Sequence, residues 1–241
     1  PVFDYSQGLY ARLNPEQQAA SDAEILKFAS RCWWEAADDS TRSAQGGVLI
    51  PEAIAFPVVQ GKKTRPCVDM RQANREFPHS SYSGRSCAVI LAQLRVTIAQ
   101  ASAKAYQAKN RPRLALATLD AETAFYRVRL SGVTAQVRCL GRRYRVGRVL
   151  FGHRAGPAIL EEALSGLLGA AMSDAAKGQE GNTVIPLYCW AYVDDITLLG
   201  EETAVKRLYA SIASVGAKWG FTFSPAKSHW IIFEPEGTCA L

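Results

Sequence analysis

Two adjacent acids, Asp194 and Asp195, interrupt the apolar stretch Cys189-Trp190-Ala191-Tyr192-Val193-Asp194-Asp195-Ile196-Thr197-Leu198-Leu199-Gly200. Both flanks are short and rich in aromatic and branched residues, which predicts two strands with the acids at the turn between them. Carboxylates held together beside a hydrophobic core repel each other and lose hydration, and a cation relieves both penalties. Hard divalent ions such as Mg²⁺ take carboxylate oxygens, and pairs of them bridged by aspartates serve phosphoryl transfer. Taken alone, the dipeptide also reads as a solvated turn.

A second acidic centre ends the run Leu114-Ala115-Leu116-Ala117-Thr118-Leu119-Asp120. This is the pattern of a buried strand that delivers one charged side chain at its end. Asp120 by itself also fits a helix N-cap, with Glu122 in support. A short helical turn carrying Phe125 is predicted next. Further on, Gly152-His153-Arg154-Ala155-Gly156-Pro157 forms a turn that opens a helix at Ala158, with Pro157 near its first position.

In chain order these pieces resemble the reverse transcriptases of retroelements. Lys63 to Asn74, with Asp69-Met70-Arg71-Gln72-Ala73-Asn74 at its end, is similar to the family's fingers signature Asp-aromatic-Arg-x-x-Asn. Thr118 to Phe125 looks like the palm motif with the first catalytic aspartate, and Leu150 to Ala158 like the Phe-Gly-x-x-x-x-Pro-Ala turn. Tyr192-Val193-Asp194-Asp195 matches the tyrosine-x-Asp-Asp box, and Trp219 to Lys227 the segment whose lysine lies near the triphosphate. The closest flavour is the LTR, gypsy-like type. The departures are Met70 in place of the aromatic, Phe151 where some relatives carry a nucleotide-contacting glutamine, the more basic His153-Arg154, and no convincing primer grip in Ser228 to Phe233.

The resemblance implies an α+β fold: the fingers and palm of a right-hand polymerase, with an antiparallel palm sheet packed on helices. Strands and long helices that alternate irregularly fit such a fold better than a doubly wound sheet. The expected division is an N-terminal arm over 1–44, fingers over 45–93 and 128–152, and palm over 94–127 and 153–241. The start at Pro1 and the stop at Leu241 lead to the expectation of a fragment, with the thumb, and in relatives often RNase H, outside it.

The implied reaction is nucleotidyl transfer from a dNTP to a primer 3′-hydroxyl on an RNA or DNA template, with two Mg²⁺ ions that Mn²⁺ could replace. Asp120, Asp194 and Asp195 are the expected catalytic residues and metal ligands, and the backbone carbonyl of Ala121 is a further ligand. Lys63 and Arg65 are expected on the β- and γ-phosphates, with Lys62 equivalent if the turn is offset by one residue. Lys227 is expected near the leaving pyrophosphate, as a general acid or simply as a solvated lysine. Thr123, Ala124, Phe125, Phe151 and Gly152 complete the expected nucleotide site. Phe125 is the expected gate against a 2′-hydroxyl, unless it is a core residue and Tyr126 or Ala124 faces the nucleotide instead. Arg154, Pro157 and Tyr192 are expected on the template-primer. A polymerase-like module that binds nucleic acid or protein without chemistry is the alternative.

Charge supports a nucleic-acid partner. Net charge is +6, although the first forty or so residues lean acidic. Between Arg127 and Arg154 there are eight arginines and no Asp, Glu or Lys. Alternation in Arg127-Val128-Arg129-Leu130 and Tyr144-Arg145-Val146 predicts strands, with Gly141-Arg142-Arg143 turning the hairpin. Arg142, Arg143 and Arg145 are therefore expected to contact phosphates, because arginine without a compensating acid suits a duplex backbone.

No apolar run approaches the roughly 20 residues of a membrane span, and no secretory signal is apparent. Six cysteines without close pairs argue against zinc and a disulfide scaffold, and for buried thiols in a reducing compartment. An intracellular site follows, cytoplasmic (in a virus-like particle) or nuclear, with the rest of a retroelement polyprotein as partner. Helices are predicted over 15–34, 86–104, 157–174 and 202–219, and an irregular strand region over 48–59.

Overall fold

The structure is a computed structural model that describes residues 4–37, 52–61, 63–76, 87–130, 135–177, 185–233 and 239–240. Lys62, the segment Asp38 to Gly47 and the loop Gln179 to Asn182 lie outside the described residues. In chain order the elements begin with α1 (Ser6–Tyr10), α2 (Pro15–Ser30), β1 (Glu35–Ala37), β2 (Glu52–Gln60), β3 (Lys63–Asp69), α3 (Ala73–Glu76), α4 (Cys87–Gln107), β4 (Leu114–Asp120) and α5 (Ala124–Arg127). There follow β5 (Ala135–Cys139), β6 (Arg142–Val146), α6 (Gly156–Ala175), β7 (Tyr188–Tyr192), β8 (Asp195–Glu201), α7 (Glu202–Trp219), β9 (His229–Phe233) and β10 (Cys239–Ala240). The chain divides into two compact units, Pro1–Ser81 with Phe125–Gly156, and Tyr82–Ala124 with Pro157–Leu241.

The first unit is built on a sheet of order β1-β6-β5-β2-β3. Its neighbours are antiparallel except β2 and β5, which run parallel over Glu52–Ile54. Among the described residues, only β3 pairs with β2 beyond Ile54, which leaves the rest of that strand an edge on its other side. Two prolines are tolerated there: Pro57 lies opposite Pro66, and neither can donate to a ladder. Gly61, at φ +59°, turns the strand into β3.

An aromatic core closes this unit. Tyr126 stacks on Phe28 and Trp33 at centroid distances of 4.7 and 5.3 Å, and Trp34 tilts against Tyr144. Residues from the N-terminal stretch thus supply much of its apolar interior. The stretch also grips the β5–β6 turn: the Leu140 N–H donates to Ser6 Oγ at 2.8 Å and the Gly141 N–H to Asp4 Oδ2 at 3.1 Å.

Two expectations for this region need correction. Leu140 and Gly141 are the turn residues, at φ +51° and +77°, so Arg142 and Arg143 are already in β6. A two-residue turn with both central residues at positive φ matches the twist of the flanking strands. The segment Arg127–Leu130 is not a strand. Arg127 ends α5, and only an isolated bridge joins Arg129 to Arg148.

The second unit carries a wholly antiparallel sheet, β10-β9-β4-β8-β7, as expected. β4 is central and nearly all buried, which suits a run that is apolar on both faces. α7 packs on β4 and β8 through Val205, Leu208, Ile212 and Val215. Helical spacing predicts these positions and Tyr209 as inward; Tyr209 is half-buried, and the helix bounds coincide with the expected ones. Gly220, at φ +82°, caps its end, and the Ser211 hydroxyl donates to the Ala171 carbonyl of α6 at 3.0 Å. α4 contributes Ala101, Ala105, Leu94 and Ile98 to a cluster with Leu114, Leu116 and Leu199. The spacing of Val89, Ile90, Leu94 and Ile98 predicts all four as inward, yet Val89 is 48% exposed.

Candidate functional site

The two acidic centres meet in the second unit. β4 and β8 are paired in register from Leu114↔Glu201 to Asp120↔Asp195, so the sheet ends with two aspartates side by side. The last pair of the β7–β8 hairpin is Tyr192↔Asp195, which leaves Val193 and Asp194 as the turn. Val193 sits at φ +57°, a strained setting for a β-branched residue and of the kind found at functional sites. The Ala121 N–H donates to the Asp194 carbonyl at 2.9 Å and ties the hairpin tip to the end of β4.

A third strand-like contact delivers a cation. Ala121 and Phe223 form a bridge, in which Ser224 N–H donates to Asp120 O at 3.0 Å and Glu122 N–H to Thr222 O at 2.9 Å. The chain then makes a single 3₁₀ turn, Pro225–Lys227. Lys227 Nζ consequently reaches both oxygens of Asp120, at 2.7 and 3.0 Å. Asp195 is an exposed residue, yet partial desolvation of its carboxyl, then the charges of Asp194 and Asp120, push it above its ordinary pKa, with Lys227 pulling the other way.

The donor chemistry suits a hard divalent cation: three carboxylates, two at the ends of neighbouring strands and one in the adjoining turn, mutually repelling, with an ammonium already drawn to one of them. Among the described residues, however, no three acidic, His or Cys side chains converge closely enough to hold a metal ion. Tyr192 is 41% exposed at the end of β7, and Pro157 is half-buried as the second residue of α6, which begins at Gly156.

Of the remaining residues expected at the nucleotide, Thr123 and Ala124 belong to the second unit and Lys63, Arg65, Phe125, Phe151 and Gly152 to the first. Lys63 and Arg65 are exposed on one face of β3, two residues apart. Thr123 is exposed at φ +51°, while the Ala124 side chain is buried, so only its backbone is available to a ligand. The orientation of α5 is clear: Tyr126 points into the aromatic core, and Phe125 is half-buried with its ring edge-to-face with Phe151 at 5.6 Å and 90°. Phe151 is 62% exposed, and Gly152 follows at φ +88°.

The arginine hairpin differs from its expectation in one respect. Acids distant in the sequence do compensate it: Glu52 Oε1 lies 2.8 Å from Arg138 and 3.5 Å from Arg143, and Glu35 lies 3.8 Å from Arg145. Arg142 is exposed at the start of β6, and Arg154 is half-buried. The thiols differ too, since Cys32 is exposed. Cys139 and Cys189 are buried or half-buried, and burial pushes both up to about 12.

Two groupings escaped the sequence reading. Arg71 holds Asp69 far below the usual carboxylate range through bonds of 2.9 and 2.6 Å, and Tyr5 adds a hydroxyl bond at 2.6 Å. Burial, together with that carboxylate, pushes Tyr5 up to about 12. Asn74 bonds the Gly152–Arg154 backbone across the unit. The fingers signature contains Asp69, Arg71 and Asn74, but spacing alone does not reveal their partners.

A family described as "Reverse transcriptase (RNA-dependent DNA polymerase)" matches residues 59–236. The chain belongs to this reverse transcriptase family. All the motifs around Asp120, Asp194, Asp195 and Lys227 fall inside the matched span. Among solved structures, the chain is similar to the prototype foamy virus protease-reverse transcriptase in its native form, at 17% identity and a TM-score of 0.58. A selenomethionine-labelled CSH mutant of that protein matches at 18% and 0.58. Each match covers 90% of this chain but only 24% of the viral one, so the chain spans about a quarter of the length of those proteins. No curated protein sequence matches it. The α+β fold with its antiparallel palm-type sheet is that of reverse transcriptase fingers and palm.

Proposed function

We propose that this chain is the fingers-palm part of an RNA-directed DNA polymerase of the LTR retroelement type, adding dNTPs to a primer 3′-hydroxyl on a nucleic-acid template. The observation that carries this reading is the register pair Asp120↔Asp195, with Asp194 at the adjoining tip and Lys227 on Asp120.

In this reading the 3′-oxygen attacks the α-phosphorus, its proton is released, and the bond to the pyrophosphate oxygen breaks. Asp120, Asp194 and Asp195 would hold the divalent cations, Mg²⁺ above all, with the Ala121 carbonyl as a further ligand. When bound, such ions lower the pKa of the attacking hydroxyl and neutralise charge on the phosphates. Lys227 donates a proton toward the leaving pyrophosphate once it is released from Asp120. Lys62, Lys63 and Arg65 take the β- and γ-phosphates, and Arg142 is the most available of the hairpin arginines for the template-primer backbone. The fingers are the unit that contains β3, and the palm the unit that contains the aspartates. The thumb, and any RNase H or integrase, are partners in the polyprotein.

Primer extension on poly(A)–oligo(dT) with Mg²⁺ tests the reading. Asp194→Asn should abolish extension, a loss of several kcal/mol in transition-state stabilisation, and leave template-primer binding nearly unchanged. Near-parental extension by that variant would refute the metal-site assignment. Parental protein that binds template-primer but never extends it would favour the non-catalytic module.

A further inference from the structure

Asn74 spans the first unit with a single amide. Its Nδ2 donates to the Gly152 carbonyl at 2.8 Å, and its Oδ1 accepts from the Arg154 N–H at 2.9 Å. One donor and one acceptor thus read the carbonyl and N–H of residues two apart, much as a neighbouring strand would. The pairing fixes the amide orientation, because a flipped amide would set donor against donor. Asn74 is itself anchored by its own N–H to the Met70 carbonyl at 2.7 Å.

What this clamp holds is the backbone that carries Phe151. Gly152 needs its positive φ, and a Cβ there would lie 3.4 Å from the Val68 carbonyl, so the turn rests directly on the exit of β3. Phe151 projects from the turn, largely exposed, with its ring against that of Phe125. The other end of the turn also touches Phe125: a Cβ on Gly156 would come 3.3 Å from its Cε1. Both ends of the Phe151–Gly156 turn therefore brace the same ring. The turn's internal bonds, such as His153 N–H to Leu150 O, link its residues to one another but not to the Asp69–Asn74 segment.

We infer that Asn74 is a positioning residue for sugar selection: it fixes the Phe151 turn, and through it the Phe125 ring that meets the nucleotide sugar. The inference rests on the proposed reading of Phe125 as part of the nucleotide site. It requires no contact between Asn74 and substrate. A displacement of about 1 Å at such a ring is enough to change discrimination many-fold.

The test has an arm independent of activity. The protein is labelled with 4-fluorophenylalanine, and the ¹⁹F resonances of Phe125 and Phe151 are assigned through Phe125→Leu and Phe151→Leu. Asn74→Ala should move both resonances and leave that of Phe28, in the aromatic core, in place. Asn74→Asp, which keeps the acceptor but sets an oxygen against the Gly152 carbonyl, should move them as well. Single-nucleotide incorporation should then show dNTP preference over rNTP falling about fivefold or more, with KM rising more than kcat falls. Unmoved resonances in both variants would overturn the inference whatever the activity. Moved resonances with sugar preference intact, while Phe125→Val does shift it, would overturn the inference alone. Preference intact in Phe125→Val as well would overturn the reading of Phe125, and the inference with it.

Discussion

Replacing Lys227 with methionine should tighten divalent-cation binding at the aspartates. The Lys227 ammonium donates to both oxygens of Asp120, at 2.7 and 3.0 Å, so an arriving cation has to displace it. Unit charges about 3 Å apart attract by about 5 kcal/mol at an effective dielectric near 20. The lysine side chain is 63% exposed, however, and water and lysine entropy reduce the net value of such a pair to about 1 kcal/mol. Methionine keeps much of the side-chain bulk and removes that competitor, so the metal Kd should fall about fivefold, at 1.4 kcal/mol per tenfold. Free Mn²⁺ followed by electron paramagnetic resonance during a titration measures this without any turnover, and calorimetry with Mg²⁺ repeats it. Lys227→Arg retains the positive charge and should bind close to the parental value. An unchanged or weaker metal affinity in Lys227→Met would refute the argument, because it would mean the lysine assembles the carboxylates rather than competing for one of them.

The combined replacement of Arg142, Arg143 and Arg145 by alanine should weaken template-primer binding. It should flatten the slope of log affinity against log salt by about 1, not the roughly 3 that three free arginines would give. Arg143 and Arg145 already face Glu52 and Glu35, so an unchanged slope would mark this face as merely solvated. His153 supplies a pH dependence of stability. Burial depresses its pKa, and its Nδ1 accepts from the Ala155 N–H at 3.1 Å, so the folded state holds it neutral. The unfolded chain takes up the proton first as pH falls below its value of about 6.5. This contribution is therefore complete above that pH and is lost progressively below it. His153→Gln should flatten the fall in melting temperature between pH 7 and 5.5, and an identical fall in both proteins would refute the assignment.

How far the fold could be read in advance follows from the range of the forces involved. α7 was legible to the residue because Val205, Leu208, Ile212 and Val215 repeat at helical spacing and Gly220 stops it. β4 was legible because an unbroken apolar run ending in a charge has few alternatives. Arg127–Leu130 misled because four alternating residues are too short a pattern. There the aromatic core decides, since burying Tyr126 against Phe28 and Trp33 favours the turn of helix. Positive φ at Thr123, Leu140 and Val193 carries no signal in the residue type, because neighbouring contacts impose it. Glu52 finds Arg138 across 86 residues and Asn74 finds Gly152 across 78, and no local pattern encodes either meeting.

The candidate site shows the same division. The acids themselves were legible, since carboxylates beside apolar strands are conspicuous, whereas the way the fold relieves their charge was not. Asp120 is relieved by Lys227, which arrives only because the Ala121–Phe223 bridge brings a distant segment alongside β4. Asp194 is held through its carbonyl, which does nothing for its charge. Asp195, an exposed residue, has its carboxyl displaced upward by partial desolvation and by both neighbours, and Lys227 offsets this only in part. One ammonium against three carboxylates leaves the cluster under-neutralised, and a strained Val193 keeps two of the acids adjacent at the tip. A merely structural turn would gain nothing from that arrangement. Retaining it is intelligible if a divalent cation supplies the missing charge, which is why metal affinity, rather than turnover, is the first quantity to measure.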